Sequence, residues 1–249
     1  MKLSRIKALS IVAIGLACGH TAMAGTFSLG ASALMDTSPY KGVDTRYYPV
    51  PIINYEGDDF YFRSLMAGYY LWKDDSNKLS LTAGYQPFGF KPSKSDDDQM
   101  KRLDKRRGTA MAGLAYSHNE EWGTIRTAVL GDVLDNSNGI IADATYLYTF
   151  KQDNWSLVPG VGVTWNSANQ NKYYYGIDSN ESRRSGLDSY KPSSGFDPYV
   201  ELSARYDITQ DWQAFFTGRY IRLSSEVKDS PMVNKSYTGV VWTGVTYTF

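Results

Sequence analysis

The last thirteen residues of the chain alternate between two kinds of side chain with a period of two. They read YTGVVWTGVTYTF, and one set of alternate positions is apolar or β-branched, namely Val241, Thr243, Val245, Tyr247 and Phe249. A period of two predicts a β-strand with one face in an apolar medium. A water-soluble protein can also end in an edge strand, but a long apolar edge promotes aggregation in water. The segment therefore favours a sheet that lies in a membrane.

The N-terminus carries the three parts of a secretory signal peptide. Basic residues come first, an apolar stretch covers residues 8–17, and a small-x-small cleavage site ends at Ala24, directly before Gly25. The apolar stretch is too short for a transmembrane helix, which needs about 20 residues. We therefore predict that residues 1–24 are a signal peptide removed on export and that residues 25–249 form one folded domain.

The residues after the predicted signal contain no cysteine, because the one cysteine of the chain is Cys18. Disulfides and thiolate metal sites are thereby excluded from the exported domain, so backbone pairing and packing must stabilise it. Basic and acidic residues are equal in number, at 26 each. A nucleic-acid partner would require a basic patch, and we expect no such partner.

Aromatic residues and glycine are frequent, with 20 Tyr, 10 Phe, 6 Trp and 22 Gly, although the mean hydropathy is only −0.40. The segment after the signal has no apolar run long enough for a membrane-spanning helix. A soluble β-sandwich could share this composition. A membrane β-barrel explains it better, because the lumen is polar, half of each strand is apolar, and Tyr and Trp fill girdles at the two interfaces.

Alternating runs of about ten residues recur along the chain and predict an antiparallel transmembrane β-barrel. Eleven runs are found, at 26–35, 48–55, 59–70, 78–86, 109–117, 124–133, 140–150, 155–165, 198–206, 212–223 and 237–249. Single-chain bacterial barrels have an even number of strands, so one run is misread, and residues 26–72 are the least regular region. We predict twelve strands, with ten as the alternative, short turns on the periplasmic side and long loops outside.

Charged residues of both signs fall on the predicted inward positions of the strands. They are Arg63, Arg126, Asp132, Asp143, Glu201, Arg205 and Arg219. A selective pore tends to carry rings of one sign, whereas mixed charges in a narrow barrel pair with one another and fill the lumen. The alternative interpretation is that they form the hydrated lining of a small pore.

Catalytic, cofactor and metal sites are not predicted. His118 is the one histidine outside the signal, and it falls beside a short periplasmic turn with no assigned serine and carboxylate partners. Residues 96–98 are three aspartates without the ligand spacing of a calcium site. They belong to the segment 91–107, which we predict to be a solvated loop. Arg183 and Arg184 either clamp phosphates or belong to an ordered loop.

Four separated stretches carry a family resemblance. They are PVPIINYEGD at 49–58, DNSNG at 135–139, YYYG at 173–176 with ESRRSGL at 181–187, and DSPM at 229–232. Together they resemble the MipA/OmpV outer-membrane family over essentially the whole exported chain. The terminal strand is likewise similar to the last strand of bacterial outer-membrane barrels, in which Tyr247 and Phe249 would be the signal read by the barrel assembly machinery.

The resemblance implies an outer-membrane scaffold without catalytic residues. Such a scaffold brings a lytic murein transglycosylase of the MltA type and a bifunctional murein synthase together for growth and division of the peptidoglycan sacculus. The alternative is a small porin-like channel or a structural outer-membrane protein. Outer-membrane lipids and lipopolysaccharide are the expected surroundings, and the outer membrane the expected location.

Overall fold

The computed structural model describes residues 25–87 and 89–249. The predicted signal peptide, including Ala24, lies outside the described residues, and Gly25 begins the first strand. The strands are β1 Gly25–Thr37, β2 Arg46–Gly57, β3 Phe60–Arg63, β4 Met66–Lys73, β5 Asn77–Gln86, β6 Thr109–Glu120, β7 Gly123–Asp132, β8 Ile140–Leu147, β9 Phe150–Gln152, β10 Trp155–Asn166, β11 Gly195–Asp207, β12 Trp212–Arg222 and β13 Tyr237–Thr248. The helices are α1 Ala168–Tyr175, α2 Ser179–Ser185 and α3 Ser225–Lys228.

Apart from β8 and β9, which do not pair with each other, each strand pairs antiparallel with its neighbour along the chain, and β13 pairs with β1, which closes the sheet into a barrel. β8 and β9 pair with successive parts of the same neighbour, β10, so they form one wall strand with an interruption. The described residues therefore build a closed barrel of twelve strands, as predicted. Closure leaves no free sheet edge at the seam between the first and the last strand.

The sequence pattern gave eleven runs, and the twelfth strand lies within the run 59–70. Reading this run as one strand was wrong. The structure divides it into β3 and β4 by a turn at Ser64 and Leu65. Ser64 adopts a left-handed conformation with φ of 55°, and its N–H donates to the carbonyl of Ile53 at 2.9 Å. Because left-handed turns usually carry Gly, Asn or Asp, a serine there gives no turn signal in the sequence.

The short β3 leaves part of β2 without a strand on one side. Pairing between these strands stops at Asn54 opposite Arg63, so residues 46–53 have a neighbour only in β1. The carbonyl of Ile53 points to the side of β2 that lacks a neighbouring strand. Residues 49, 51 and 53 are alternate positions of the strand, so the backbone nitrogens of Pro49 and Pro51 face the same side. Since proline has no N–H, these two positions remove donors that would otherwise be unpaired in the membrane.

The outer face of the barrel is apolar and ends in two aromatic belts. The belt beside the short turns includes Phe27, Trp155, Tyr206, Trp212, Tyr247 and Phe249, and the belt beside the long loops includes Tyr47, Tyr85, Phe196, Tyr220 and Tyr237. Aromatic belts of this kind occupy the two membrane–water interfaces. No helix in the described segments is long and apolar enough to cross a bilayer.

The long loops fold together over one end of the barrel. Their buried side chains form an apolar cluster of Tyr40, Val43, Phe90, Met100, Leu103, Ile177, Leu187, Leu223, Val227, Met232 and Val233. The prediction of a solvated loop for residues 91–107 is therefore wrong, because Met100 and Leu103 lie inside this mouth cluster. Charged residues flank these two apolar positions, so the sequence pattern did not predict that they are buried.

Candidate functional site

An ion-pair network centred on Glu201 lies on the inner wall of the barrel and spans the neighbouring strands from β7 to β12. Arg126 of β7 donates to one carboxylate oxygen of Glu201 at 2.7 Å, and Arg219 of β12 donates to the other at 2.5 and 3.1 Å. The guanidinium of Arg219 also lies over the ring of Tyr199, 4.1 Å from its centroid. Charge-assisted hydrogen bonds of this kind are the strong ones. Three of the seven predicted lumen charges thus come together on one part of the inner wall.

A second polar cluster lies beside this network. Asp143 accepts hydrogen bonds from the hydroxyls of Tyr199 at 2.9 Å, Thr164 at 2.7 Å and Thr145 at 3.1 Å. Tyr199 therefore joins the two clusters, since its ring contacts Arg219 and its hydroxyl contacts Asp143. Sequence reasoning missed Tyr199, although it lies two residues before Glu201 on the same inward face of β11.

The remaining predicted lumen charges do not join these clusters. Arg63 donates to Glu56 at 2.8 Å, near the end with the short turns. Asp132 lies at the opposite end, where it accepts from the N–H groups of residues 134, 137 and 138 and holds the loop after β7. Arg205 is exposed and forms no ion pair within the described chain.

The mouth cluster is joined by a buried ion pair that sequence reasoning also missed. Arg106 donates to both carboxylate oxygens of Glu181 at 2.8 Å and to the carbonyl of Gly176 at 2.9 Å. Glu181 is only 3% exposed, and it also accepts the N–H of Asp104. The pair therefore connects the loop between β5 and β6 with the loop between β10 and β11.

Helix α2 positions Glu181 through its own N-terminal cap. The Asp178 carboxylate accepts from the N–H groups of Asn180 and Glu181 at 2.8 Å, and the Glu181 side chain accepts from the N–H of Asp178. The N–H of Glu181 holds the pKa of Asp178 below its ordinary value. The helix ends at Gly186, whose φ of 77° closes the left-handed cap.

The adjacent arginines considered as a phosphate clamp, Arg183 and Arg184, have partners within the outer loops. Arg183 contacts the side chain of Asn180, and Arg184 donates to Asp104 at 2.9 Å. Lys101 donates to Asp98 at 2.8 Å. These contacts favour the ordered-loop interpretation of the segment 181–187.

The end with the short turns carries a ring of exposed acids, which we call the acidic rim. Its members are Asp58, Asp59, Asp74, Asp75, Glu120, Glu121, Asp153, Asp207 and Asp211. Lys73, Lys78 and Lys151 are the lysines at the same level. The rim therefore has a strong excess of negative charge, whereas the chain as a whole is balanced. Negative charge concentrated on one face attracts a basic partner.

His118 lies on this rim, at the end of β6. Its Nδ1 is 2.9 Å from the side-chain oxygen of Asn77, and its Nε2 is 3.8 Å from Glu120. Its ring also lies near that of Trp122, with centroids 6.0 Å apart. No hydrogen bond joins His118 to a serine within the described residues.

Comparison with known proteins gives one family and a graded set of relatives. The model of the family described as "MltA-interacting protein MipA" matches residues 29–249. The MltA-interacting protein of Escherichia coli K12 is 51% identical over 99% of this chain and 100% of its own length. The putative outer membrane protein YiaT of the same strain is 41% identical, covering 92% of this chain and 93% of its own. The outer membrane protein OmpV of Vibrio cholerae is 24% identical, covering 90% and 87%.

Proposed function

Because the chain belongs to the MipA family of outer-membrane proteins, we propose that it is a non-enzymatic scaffold of the outer membrane. In this role it holds a lytic murein transglycosylase, and through it a murein synthase, beside the peptidoglycan layer. The observation that carries the proposal is the covered outer mouth of the barrel. The mouth cluster joins the long loops over this end, and the charges of the Glu201 network on the inner wall bond to one another, so the molecule offers surfaces for contact more than a path for solutes.

The acidic rim is the surface on which we place the partner. Apart from the turn at Ser64 and Leu65, chain alternation puts the short turns at the same end as Gly25 and Phe249, which is the periplasmic end in outer-membrane barrels. A soluble or lipid-anchored murein enzyme reaches this end without crossing the membrane. Exposed carboxylates there steer a basic surface and set its orientation more than they set its affinity. The proposed contact should therefore weaken as salt screens the charges.

A channel is the other function that a barrel supports. The lumen charges are of both signs and bond to one another, whereas a selective pore presents rings of one sign to the passing ion. In addition, Glu201 is 7% exposed, so little of the carboxylate meets water. These contacts favour the scaffold over the porin-like alternative.

The first prediction tests the scaffold and its surface together. The purified full-length barrel, immobilised in detergent, should retain a lytic transglycosylase from envelope extracts of the same organism. Replacing Glu120, Glu121 and Asp153 by Lys should weaken retention by about tenfold at low salt, because each reversed charge repels the basic partner surface. The quantity to measure is bound transglycosylase at low and at high salt.

A matched control reverses three exposed acids on the outer loops, Asp96, Asp98 and Asp188, and should leave retention unchanged. If neither a murein hydrolase nor a synthase is retained by the unmodified barrel, the scaffold proposal is wrong. If both triple variants retain the enzyme equally well, the scaffold stands but the rim is not its contact surface.

A further inference from the structure

A groove lies on the outer face of the barrel, at the outer ends of β11 and β12. It encloses about 530 Å³, and its lining includes Phe196, Tyr220, Arg222, Ser225, Lys228 and Ser236. Even-numbered residues of these two strands point away from the lumen, since Glu201 and Arg219 point into it. The groove therefore opens to the membrane and not to the interior of the barrel.

The lower part of the groove is aromatic. Phe196 is 63% exposed and Tyr220 is 51% exposed, and the ring of Tyr220 stacks on Tyr237 of β13 with centroids 5.3 Å apart. Further down the same face, Val200 and Phe216 continue the apolar surface. Rings at this level lie at the boundary between acyl chains and head groups of the outer leaflet.

The upper part of the groove is cationic. Arg222 follows Tyr220 by two residues on the same outward face, is exposed, and takes part in no ion pair within the described chain. Lys228 ends α3 above it, and its one acidic neighbour is Asp229 at 3.9 Å, a long contact between two exposed side chains. A guanidinium presents a fork of donors that matches a phosphate.

The acidic side chains packed around the groove form hydrogen bonds with groups other than Arg222 and Lys228. Glu226 accepts the N–H of Ser193 at 2.6 Å. Asp197 accepts from the N–H of Ser224 at 2.7 Å and from Asn166 at 2.9 Å, and it lies on the inward face of β11. Apart from Asp229, the described acids near the groove therefore leave the two cations available. This distinguishes the groove from the arginines of α2, which are occupied by neighbouring side chains.

We propose that this groove binds a phosphorylated glycolipid of the outer leaflet, the lipid A part of lipopolysaccharide. A phosphate lies between Arg222 and Lys228, with the hydroxyls of Ser225 and Ser236 as additional donors. The acyl chains descend over Phe196 and Tyr220 into the membrane. The two cations, the aromatic rings at the membrane interface and the opening of the groove toward the membrane all fit an amphiphile whose anionic group lies directly above its acyl chains. The inference is independent of the murein scaffold, which concerns the opposite end of the barrel.

The test measures binding of purified lipid A to the full-length barrel in detergent, by native mass spectrometry. The unmodified protein should bind lipid A with its phosphates at least about tenfold more tightly than the same lipid after enzymatic removal of the phosphates. The double variant Arg222→Gln, Lys228→Gln should lose the same factor, while Arg183→Gln, Arg184→Gln should bind like the unmodified protein. Folding of each variant is checked by its mobility in unheated gels.

The source of the phosphate is resolved in the same experiment. Inorganic phosphate and phosphatidylglycerol should each compete poorly with lipid A. Inorganic phosphate has no acyl chain, and phosphatidylglycerol has a narrower head group with a single phosphate. Equal binding of phosphorylated and dephosphorylated lipid A by the unmodified protein would overturn the proposal without any variant. Unchanged binding by the folded double variant would overturn the assignment to Arg222 and Lys228.

Discussion

Removal of Phe249 is expected to reduce the amount of assembled barrel in the outer membrane by about tenfold or more while leaving export intact. Phe249 directly follows the closing strand β13, and its N–H donates to the carbonyl of Phe27 at 3.0 Å. Its ring lies 5.7 Å from Phe27 and 4.9 Å from Tyr247. These contacts contribute about 1–3 kcal/mol to the folded barrel. A protein that is stable by about 5–15 kcal/mol stays folded after a loss of this size, so a tenfold drop in assembled barrel must come from recognition of the strand end.

The measurement follows newly made protein in cells and separates exported unfolded chains from barrels that resist unfolding in unheated gels. Phe249→Tyr is the matched control, since it retains an aromatic end, and should assemble nearly normally. The truncated barrels that do assemble should show only a modest loss of thermal stability. Normal assembly of the truncated chain would contradict the role assigned to Tyr247 and Phe249 as the assembly signal.

Replacement of Glu181 by Ala is expected to open the mouth of the barrel. It leaves Arg106 buried without its carboxylate, and breaking a buried ion pair on one side costs about 3–5 kcal/mol. The same change removes the acceptor of the Asp104 N–H and half of the α2 capping box. The loops should separate from one another because the apolar mouth cluster alone must then keep them together.

The measurement is proteolysis of the outer loops from outside intact cells, combined with single-protein conductance in planar bilayers. Glu181→Ala should be cut many times faster than the unmodified protein, which should show little or no conductance. Arg184→Ala is the control, because its pair with Asp104 is exposed and worth at most about 1 kcal/mol. Large, steady conductance by the unmodified barrel would contradict the covered mouth and favour the channel.

The barrel itself could be predicted from the sequence because its signal is repeated in every strand. The alternation of apolar and polar side chains, as in residues 241–249, depends only on which face of a strand lies against the membrane. In a closed barrel every strand has one face against the membrane, so the pattern recurs in all of them. The even-number rule showed that one run was misread, and the irregular pattern of residues 26–72 indicated where. The turn at Ser64 could not be read, because a serine is held in a left-handed conformation there by contacts with β2 and β5.

The candidate site was predictable in part, for a related reason. Strand alternation predicted Arg126, Glu201 and Arg219 on one face of the sheet, but it could not say that arginines of β7 and β12 bond to the same carboxylate. The pair of Arg106 and Glu181 lies in loops, which have no fixed period, and joins residues 75 apart in the chain. Sequence spacing carries no information on such contacts, so the mouth cluster was found only in the structure.

Crosslinking from single cysteines in living cells tests the scaffold most directly. Residues 25–249 contain no cysteine, so after the predicted removal of residues 1–24 each introduced thiol reports on one position. Cysteines at Glu121 and Asp153 on the acidic rim should crosslink to a lytic murein transglycosylase, whereas cysteines at Asp96 and Asp188 on the outer loops should not. Crosslinks to this enzyme from the outer loops, or none from any rim position, would contradict the account.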